Sequence, residues 1–363
     1  MERTHKKKYD NAAMAVVTGI RDMFRTKEVC GELRDSDRLD GKTVFIDGAS
    51  SGLGFAIAVD VAKRGARVIM ACRSGIPEKG EKVKKLSGNP DVHMLKVNLS
   101  DLSSIRDLAS GIRDLVSELY PTPYPSPTRD GKSKGIDIFI LNAGIVPKKS
   151  RKTPQGLEEM FMVNYFAKFV FVRLLMEQGM IMDPGSGIRD KESSEPGSRI
   201  SHPASRVIFV TSESHRNPEK FDWDGFGKYK DYGIKQSMEL YGYYKLLLVT
   251  FSRELSRRIN PVGKTTTSVF AMCPGPVNSN IAREAPKIFQ PLLKLIFAIF
   301  FKSPNEAAKP VVYLAASPDV EGKPYDYLFL MSQQEIEEKA VDPANGRKLW
   351  DLSEKLLLDR KFS

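Results

Sequence analysis

Short apolar runs alternate with longer amphipathic stretches from about residue 41 to the end of the chain. The runs are TVFI (43–46), ARVIMA (66–71), VHMLKV (92–97), IDIFIL (136–141), RVIFVT (206–211), TSVFAM (267–272) and YDYLFL (325–330). Their near-continuous apolar character is that of strands covered on both faces of a parallel sheet. The stretches between them carry helical periods. This β–α alternation predicts an α/β fold: a Rossmann-like doubly wound parallel sheet of about seven strands, with helices on both faces, in one domain over 41–363.

Three regions break the alternation. Residues 1–40 are charged, with a basic start and the weakly amphipathic patch AAMAVVTGIRDMF, and read as a tail or surface helix. Two stretches, 122–135 and 183–205, are rich in Pro, Gly, Ser and charge, and read as surface insertions. The segment PKIFQPLLKLIFAIFFKSP (286–304) is strongly apolar but too short to span a bilayer. Two readings stay open for it: a buried lid (about 280–304) or core helix, or a surface that dips into a membrane between Lys287, Lys294 and Lys302. A large apolar lid suggests a lipophilic substrate.

Composition narrows the classes. The 363 residues are 41% hydrophobic and 28% charged, an ordinary globular balance. Lys and Arg total 56 against 45 acids, a net charge of +11. A basic surface fits nucleic acid, an anionic membrane or a phosphorylated cofactor. No zinc-finger, helix-turn-helix or aromatic–basic RNA pattern accompanies the charge, so the reading is no nucleic acid. Cys30, Cys72 and Cys273 are scattered and odd in number, which fits a reducing compartment. No secretory h-region is visible, so the expectation is a cytoplasmic protein or one peripheral on a membrane, not a secreted one. His5, His93, His202 and His215 share no metal spacing, and no metal site is expected.

The strand at 43–46 runs into Asp47 and then GASSGLG (48–54), followed by the apolar helical run FAIAVDVAKRG. Gly48, Gly52 and Gly54 follow a G-x-x-x-G-x-G spacing. Glycines between strand and helix allow a sharp turn, close approach to a pyrophosphate and tight helix packing, while the helix N-terminus offers free N–H groups. Ser50, Ser51 and Leu53 belong to the same loop. GKT at 41–43 and 263–265 lacks the upstream glycine of a phosphate loop. The second strand ends at Ala71-Cys72-Arg73, where a doubly wound fold meets the adenosine ribose. Arg73 offers donors to a 2′-phosphate where an acid would repel one, which favours NADP(H) over NAD(H). In the helical stretch 236–255, Tyr241 and Lys245 are four apart and share a face. An ammonium beside a phenol favours phenolate, as acid–base work near neutral pH requires. Tyr243 and Tyr244 have the wrong spacing to Lys245.

Together GASSGLG (48–54), LNAG (141–144), Asn164 in MFMVNYFAKF, VTSESH (210–215), YGYYK (241–245) and PGPVNS (274–279) resemble the short-chain dehydrogenase/reductase family over about 40–360. VIMACRS, KSPNEAAKPVVYLAAS and RKLWDLSEKLL are similar to its retinol dehydrogenase-like branch. The resemblance implies an oxidoreductase acting between a CH–OH or C=O group and a nicotinamide cofactor, with a homo-oligomer open as a further expectation. It implies Tyr241 as acid/base, Lys245 as its partner and a ribose contact, Ser212 polarising the substrate oxygen, and Asn164 holding a water beside Lys245. It also implies a cofactor floor of Asn142, Ala143 and Gly144, an adenine side at Asn98 and Leu99, and a nicotinamide pocket bounded by Pro274, Gly275, Val277 and Ser279. Three residues depart from the family pattern. Asp47 stands where Thr is usual, Asn98 where Asp is usual, and Tyr244 where a small residue is usual. A catalytically silent cofactor sensor or scaffold, and a sugar-nucleotide epimerase, are the alternatives; the glycine spacing and the missing C-terminal substrate domain disfavour the epimerase.

Overall fold

In the computed structural model, residues 29–119, 135–181, 205–260, 265–275 and 303–360 are described. All seven expected strands form: β1 (Thr43–Asp47), β2 (Arg67–Cys72), β3 (Val92–Lys96), β4 (Ile138–Leu141), β5 (Ser205–Val210), β6 (Thr267–Cys273) and β7 (Tyr325–Phe329). They are parallel, and the sheet order is β3-β2-β1-β4-β5-β6-β7-β8. The eighth strand, β8 (Ser332–Gln333), turns back antiparallel on β7. Two residues are too few to show a period, which is why the apolar pattern yields seven.

Alternate strand residues face opposite helical layers, as the pleat requires. Phe45, Ile69, Phe139 and Phe209 look toward α3 (Leu102–Leu119), α4 (Ala167–Glu177), α5 (Ile234–Ile259) and α7 (Pro343–Asp359). Val44, Ile46, Met70, Ile140 and Ile208 look toward α1 (Gly52–Lys63), α2 (Glu78–Ser87) and α6 (Pro304–Ala316). Helix starts follow local chemistry. Ser303 and Glu306 cap α6 reciprocally with Pro304 in its first turn, and Asp342 caps α7 ahead of Pro343.

The tail expected over 1–40 ends earlier than composition suggests. From Val29 onward the chain packs on the domain without forming a helix. Cys30 N–H donates to Met331 O at 2.7 Å, Arg34 pairs with Asp319, and Leu39 is buried in the core. Arg38 and Asp40 pair with each other, and the Asp37 carboxylate accepts from Arg34 N–H at 2.9 Å. The rest of that segment, most of both insertions and most of the lid stretch lie outside the described residues.

Strand order reverses between β1 and β4. In an open α/β sheet that point leaves a crevice beyond the carboxyl ends of the strands, where ligands sit. The glycine turn, LNAG, VTSESH and the Pro274-Gly275 corner all lie at that edge.

Candidate active site

The turn after β1 is built for close approach. Gly48 sits at φ +65°, and a Cβ there would lie 3.0 Å from Ala143. A Cβ on Gly54 would lie 2.5 Å from Gly48 O. Ser51 occupies the N-cap of α1 without a side-chain cap, so the first N–H groups of the helix keep their donors for an anion. The turn is anchored behind: Gly48 N–H donates to Ala71 O at 2.9 Å, and Cys72 contacts Ala49 and Ser50. This cradle fits a dinucleotide pyrophosphate. Arg73 follows β2 and is exposed. Asn98 is half-buried after β3, and its Oδ1 accepts from the Ser100 hydroxyl at 2.8 Å; Leu99 packs beside it on the core.

Asp47, the residue that departs from the family pattern, is buried at 2% exposure, yet fully engaged. Its Oδ1 accepts from the backbone N–H groups of Asn142 (2.5 Å) and Ala143 (2.6 Å), joining the end of β1 to the end of β4. The Asn142 carboxamide returns a bond to Asp47 O at 3.1 Å.

Asn164 lies in a π-helical turn, Met162–Phe166, just before α4. Such turns widen a helix at functional positions. Its carboxamide is committed to one residue: Oδ1 accepts from Ile145 N–H at 2.8 Å and Nδ2 donates to Ile145 O at 2.9 Å. This seats Asn164 against Gly144, where a Cβ would lie 3.4 Å from Asn164 Oδ1 and 3.7 Å from Lys245 Nζ.

Helix α5, extending past both ends of its expected span, brings up the tyrosine and the lysine. Lys245 is buried and donates to Val210 O at 2.9 Å. Its Nζ lies 5.6 Å from the centre of the Tyr241 ring. The Tyr241 phenol is hydrogen-bonded to the Ser212 hydroxyl. Ser212 Oγ accepts from Ser214 N–H (3.3 Å) and Ser214 Oγ (3.0 Å), so its own proton is the one donated to the Tyr241 oxygen, which leaves the phenol proton free. Burial, then the Cys273 thiol, pushes the Tyr241 phenol above its ordinary value. Burial, then the Lys168 ammonium, pushes Lys245 down to about 7, against the opposing pull of Cys273 and Asp47. In this dry pocket both members of the pair lean toward their neutral forms, and the proton on Lys245 is the loosely held one.

Two comparisons bear on this arrangement. A family model described as short chain dehydrogenase matches residues 42–121. Retinol dehydrogenase 14 of Mus musculus is 32% identical over 334 residues, covering 88% of this chain and 87% of its own. The chain belongs to the short-chain dehydrogenase/reductase family. It is retinol dehydrogenase-like within it. Dehydrogenase/reductase SDR family member 13 of Bos taurus is 30% identical over 323 residues, with 88% of this chain and 74% of the relative covered. Among solved structures, an uncharacterized protein from Mycobacterium paratuberculosis superposes with a TM-score of 0.60 at 26% identity, covering 91% of this chain and 97% of that one.

Ser212, Tyr241, Lys245, Asn164 and the Asn142–Gly144 end of β4 meet beside the glycine turn. Pro274 is buried at the end of β6, and Gly275 takes φ +76° against Leu330. Val277, Ser279 and residues 280–302 of the expected lid lie outside the described residues. Three residues of the site had no place in the sequence reading. Gly242 lets α5 press on the Ser212 turn; Cys273 lies beside the tyrosine–lysine pair, its thiol pushed up to about 12 by burial and then by Glu213. Lys168 is the third. Its sequence signal, a lysine set inside the apolar run FAKFVFV, is visible in MFMVNYFAKFVFV. No group of three or more His, Cys, Asp or Glu that could hold a metal occurs among the described residues, and no helix there is long and apolar enough to cross a membrane.

Proposed function

We propose that this chain is an NADP(H)-dependent oxidoreductase that moves hydride between nicotinamide and a carbonyl or alcohol carbon of a small lipophilic substrate, retinoid-, steroid- or aldehyde-like. The observation that carries it is the meeting of Ser212, Tyr241 and Lys245 beside an uncapped glycine-turn helix at the point where strand order reverses. The retinol dehydrogenase name of the relatives and the apolar stretch 286–304 support a lipophilic substrate. Exposed Arg73, beyond the end of β2, supports the phosphorylated cofactor.

A bound nicotinamide dinucleotide supplies or accepts the hydride. The chain supplies the rest. Gly48, Gly52 and Gly54, with the N–H groups of α1, hold the pyrophosphate, and Asn142–Gly144 form the floor. Ser212, its lone pairs filled by Ser214, turns its proton from the Tyr241 oxygen to the substrate oxygen. Tyr241 gives that oxygen a proton in reduction and takes it back in oxidation. Lys245, when protonated, draws the phenol toward phenolate.

The test is NADPH consumption against a panel of retinals, steroids, quinones and aliphatic aldehydes, with Tyr241→Phe as control. Turnover of at least one lipophilic carbonyl that the control loses is the expected result. Dinucleotide binding with no turnover on any member would favour the silent-sensor alternative instead.

A further inference from the structure

Lys168 is the most deeply buried cation among the described residues, with a side chain 0% exposed. A lysine in that position needs partners, and it has three. Its Nζ donates to Ala143 O at 2.7 Å and to Val163 O at 2.9 Å, and lies 4.0 Å from Asp47 Oδ2. The Val163 carbonyl is within reach because the π-helical turn shifts the backbone bonding: Ala167 N–H reaches back to Met162 O, five residues away. The two residues that Lys168 touches through Asp47 and Ala143 are the ends of β1 and β4, the floor of the crevice. The unusual acid and the buried lysine therefore occur together, each supplying the other's counter-charge.

The same ammonium acts on Lys245: Lys168 Nζ holds Ala143 O, and a Cβ on the next residue, Gly144, would lie 3.7 Å from Lys245 Nζ. Around Lys245 the groups that carry or can carry charge are Asp47 at the end of β1, Lys168 on α4, Cys273 at the end of β6 and Tyr241 on its own helix; Glu213, on the turn after β5, acts on Cys273. One buried carboxylate thus serves two buried ammonium groups. Lys168 Nζ donates to two carbonyls besides lying near Asp47, whereas Lys245 Nζ donates to Val210 O. Lys245 is the lysine that yields its proton first.

We propose that Lys168 is a positioning residue: paired with Asp47 it locks the ends of β1 and β4 beneath the cofactor, and it sets its ammonium behind the Ala143–Gly144 peptide against which Lys245 is seated. The inference rests on the functional reading above for its catalytic consequence, but its electrostatic content can be read without cofactor. Burial lowers Lys168 as well, against the pull of Asp47.

The experiment uses the full chain labelled with ¹³Cε-lysine, titrated by NMR without cofactor, with the Lys245 signal assigned by its loss in Lys245→Met. In Lys168→Met the Lys245 midpoint is expected to rise by roughly one pH unit. Asp47→Thr/Lys168→Met removes both charges, relieves the buried acid should the single variant fold poorly, and is expected to keep a rise. NADPH binding by fluorescence gives the second readout. Lys168→Met leaves the Asp47 carboxylate uncompensated below the glycine turn and is expected to weaken binding by about tenfold or more, while the double variant recovers most of it. An unmoved Lys245 midpoint in both variants overturns the action on Lys245, and a double variant as weak as Lys168→Met overturns the pairing with Asp47. Wild-type protein that binds neither NADPH nor NADH would sink the functional reading, while the NMR titration still decides the electrostatic claim.

Discussion

Gly242 meets the carbonyl of Ser214 so closely that a methyl group on its α-carbon would lie 2.7 Å from that oxygen. Because Tyr241 precedes Gly242 and Ser212 opens the turn that ends near Ser214, this contact sets the distance at which phenol and serine hydroxyl meet. Gly242→Ala opposes two effects. Helix propensity favours alanine by roughly 0.5–1 kcal/mol, and overpacking costs roughly 1–3 kcal/mol. The clash is with backbone and wins. The expected outcome is a kcat lower by about 10–100-fold, since a misplacement near 1 Å costs on that order, with dinucleotide affinity nearly unchanged. Steady-state kinetics with a fluorescence titration would check this; wild-type kcat would show that α5 yields without consequence.

Tyr241→Phe keeps the ring beneath Lys245 and removes only the hydroxyl that bonds Ser212. General acid–base help is worth about 10²–10⁴ in rate. kcat is expected to fall by at least the lower figure while NADPH still binds. Because burial holds the phenol above its ordinary value, oxidation of an alcohol, which needs the phenolate, should gain rate with rising pH more steeply than reduction does. A variant that turns over near the wild-type rate would remove Tyr241 from the chemistry.

The parts of this molecule that were legible in advance are those with a period or a spacing. Seven buried strands show as apolar runs because both sheet faces are covered. The glycine turn and the Tyr241–Lys245 pair show because strand, turn and helix fix the separation of their residues. What stayed hidden depends on contacts between distant segments. Nothing local to Lys168 says that Asp47, 121 residues earlier, lies 4.0 Å away, and nothing local to Gly242 announces the Ser214 carbonyl. The charges at 32–40 suggest solvent, yet Arg34 pairs with Asp319 across the fold, and Arg64 donates to the backbone carbonyls of Arg34 and Asp37. The two-residue β8 is set by its pairing with β7, with no pattern of its own.

His215 holds the Ser212 turn from behind. Its Nδ1–H donates to Ser212 O at 2.8 Å, its ring meets Tyr327 edge-on at 5.3 Å, and its Nε2 is buried without a partner. Burial pushes the imidazole down to about 4, against the pull of Glu213. The folded state thus prefers the neutral ring, while the unfolded chain takes up a proton near the ordinary 6.5. The unfolded state binds more protons between those values, so stability is full above pH 6.5 and falls as pH drops toward 4, by an amount on the order of 3 kcal/mol. Glu213 acts lower down: burial raises it, but Arg216 and Tyr327 hold it below its ordinary 4.5. Urea unfolding from pH 7.5 to 4.5 should show the decline in the wild type and a flatter profile in His215→Asn, whose amide keeps a donor for Ser212 O. Equal slopes for the two proteins would assign the acid sensitivity elsewhere.

Cofactor choice is the last matter the geometry makes testable. Arg73 leaves the end of β2 beside the residues that anchor the glycine turn, since Gly48 N–H is bonded to Ala71 O and Cys72 contacts Ser50. Lys79 folds across the same corner: a Cβ on Gly75 would lie 2.7 Å from Lys79 Cγ, and the ammonium groups of Lys79 and Lys82 lie 6.0 and 5.7 Å from the Phe55 ring on α1. Three cations therefore border the place where β2 ends next to the start of α1. A charge-assisted contact to a 2′-phosphate is worth enough to change the preference for NADPH over NADH by about tenfold or more. Arg73→Glu both removes the contact and adds repulsion, so it should shift the ratio of kcat/KM values toward NADH by at least that factor. Lys79→Ala should shift it less, because its charge reaches the site without a planar fork to match the phosphate. Arg73 is exposed, so salt should weaken the wild-type preference and leave that of Arg73→Glu less affected. A ratio unchanged by Arg73→Glu but moved by Lys79→Ala would place the 2′-phosphate on the lysine. If neither variant changes the ratio, the corner between β2 and α2 does not read the phosphate, and the preference for NADP(H) proposed from Arg73 is wrong.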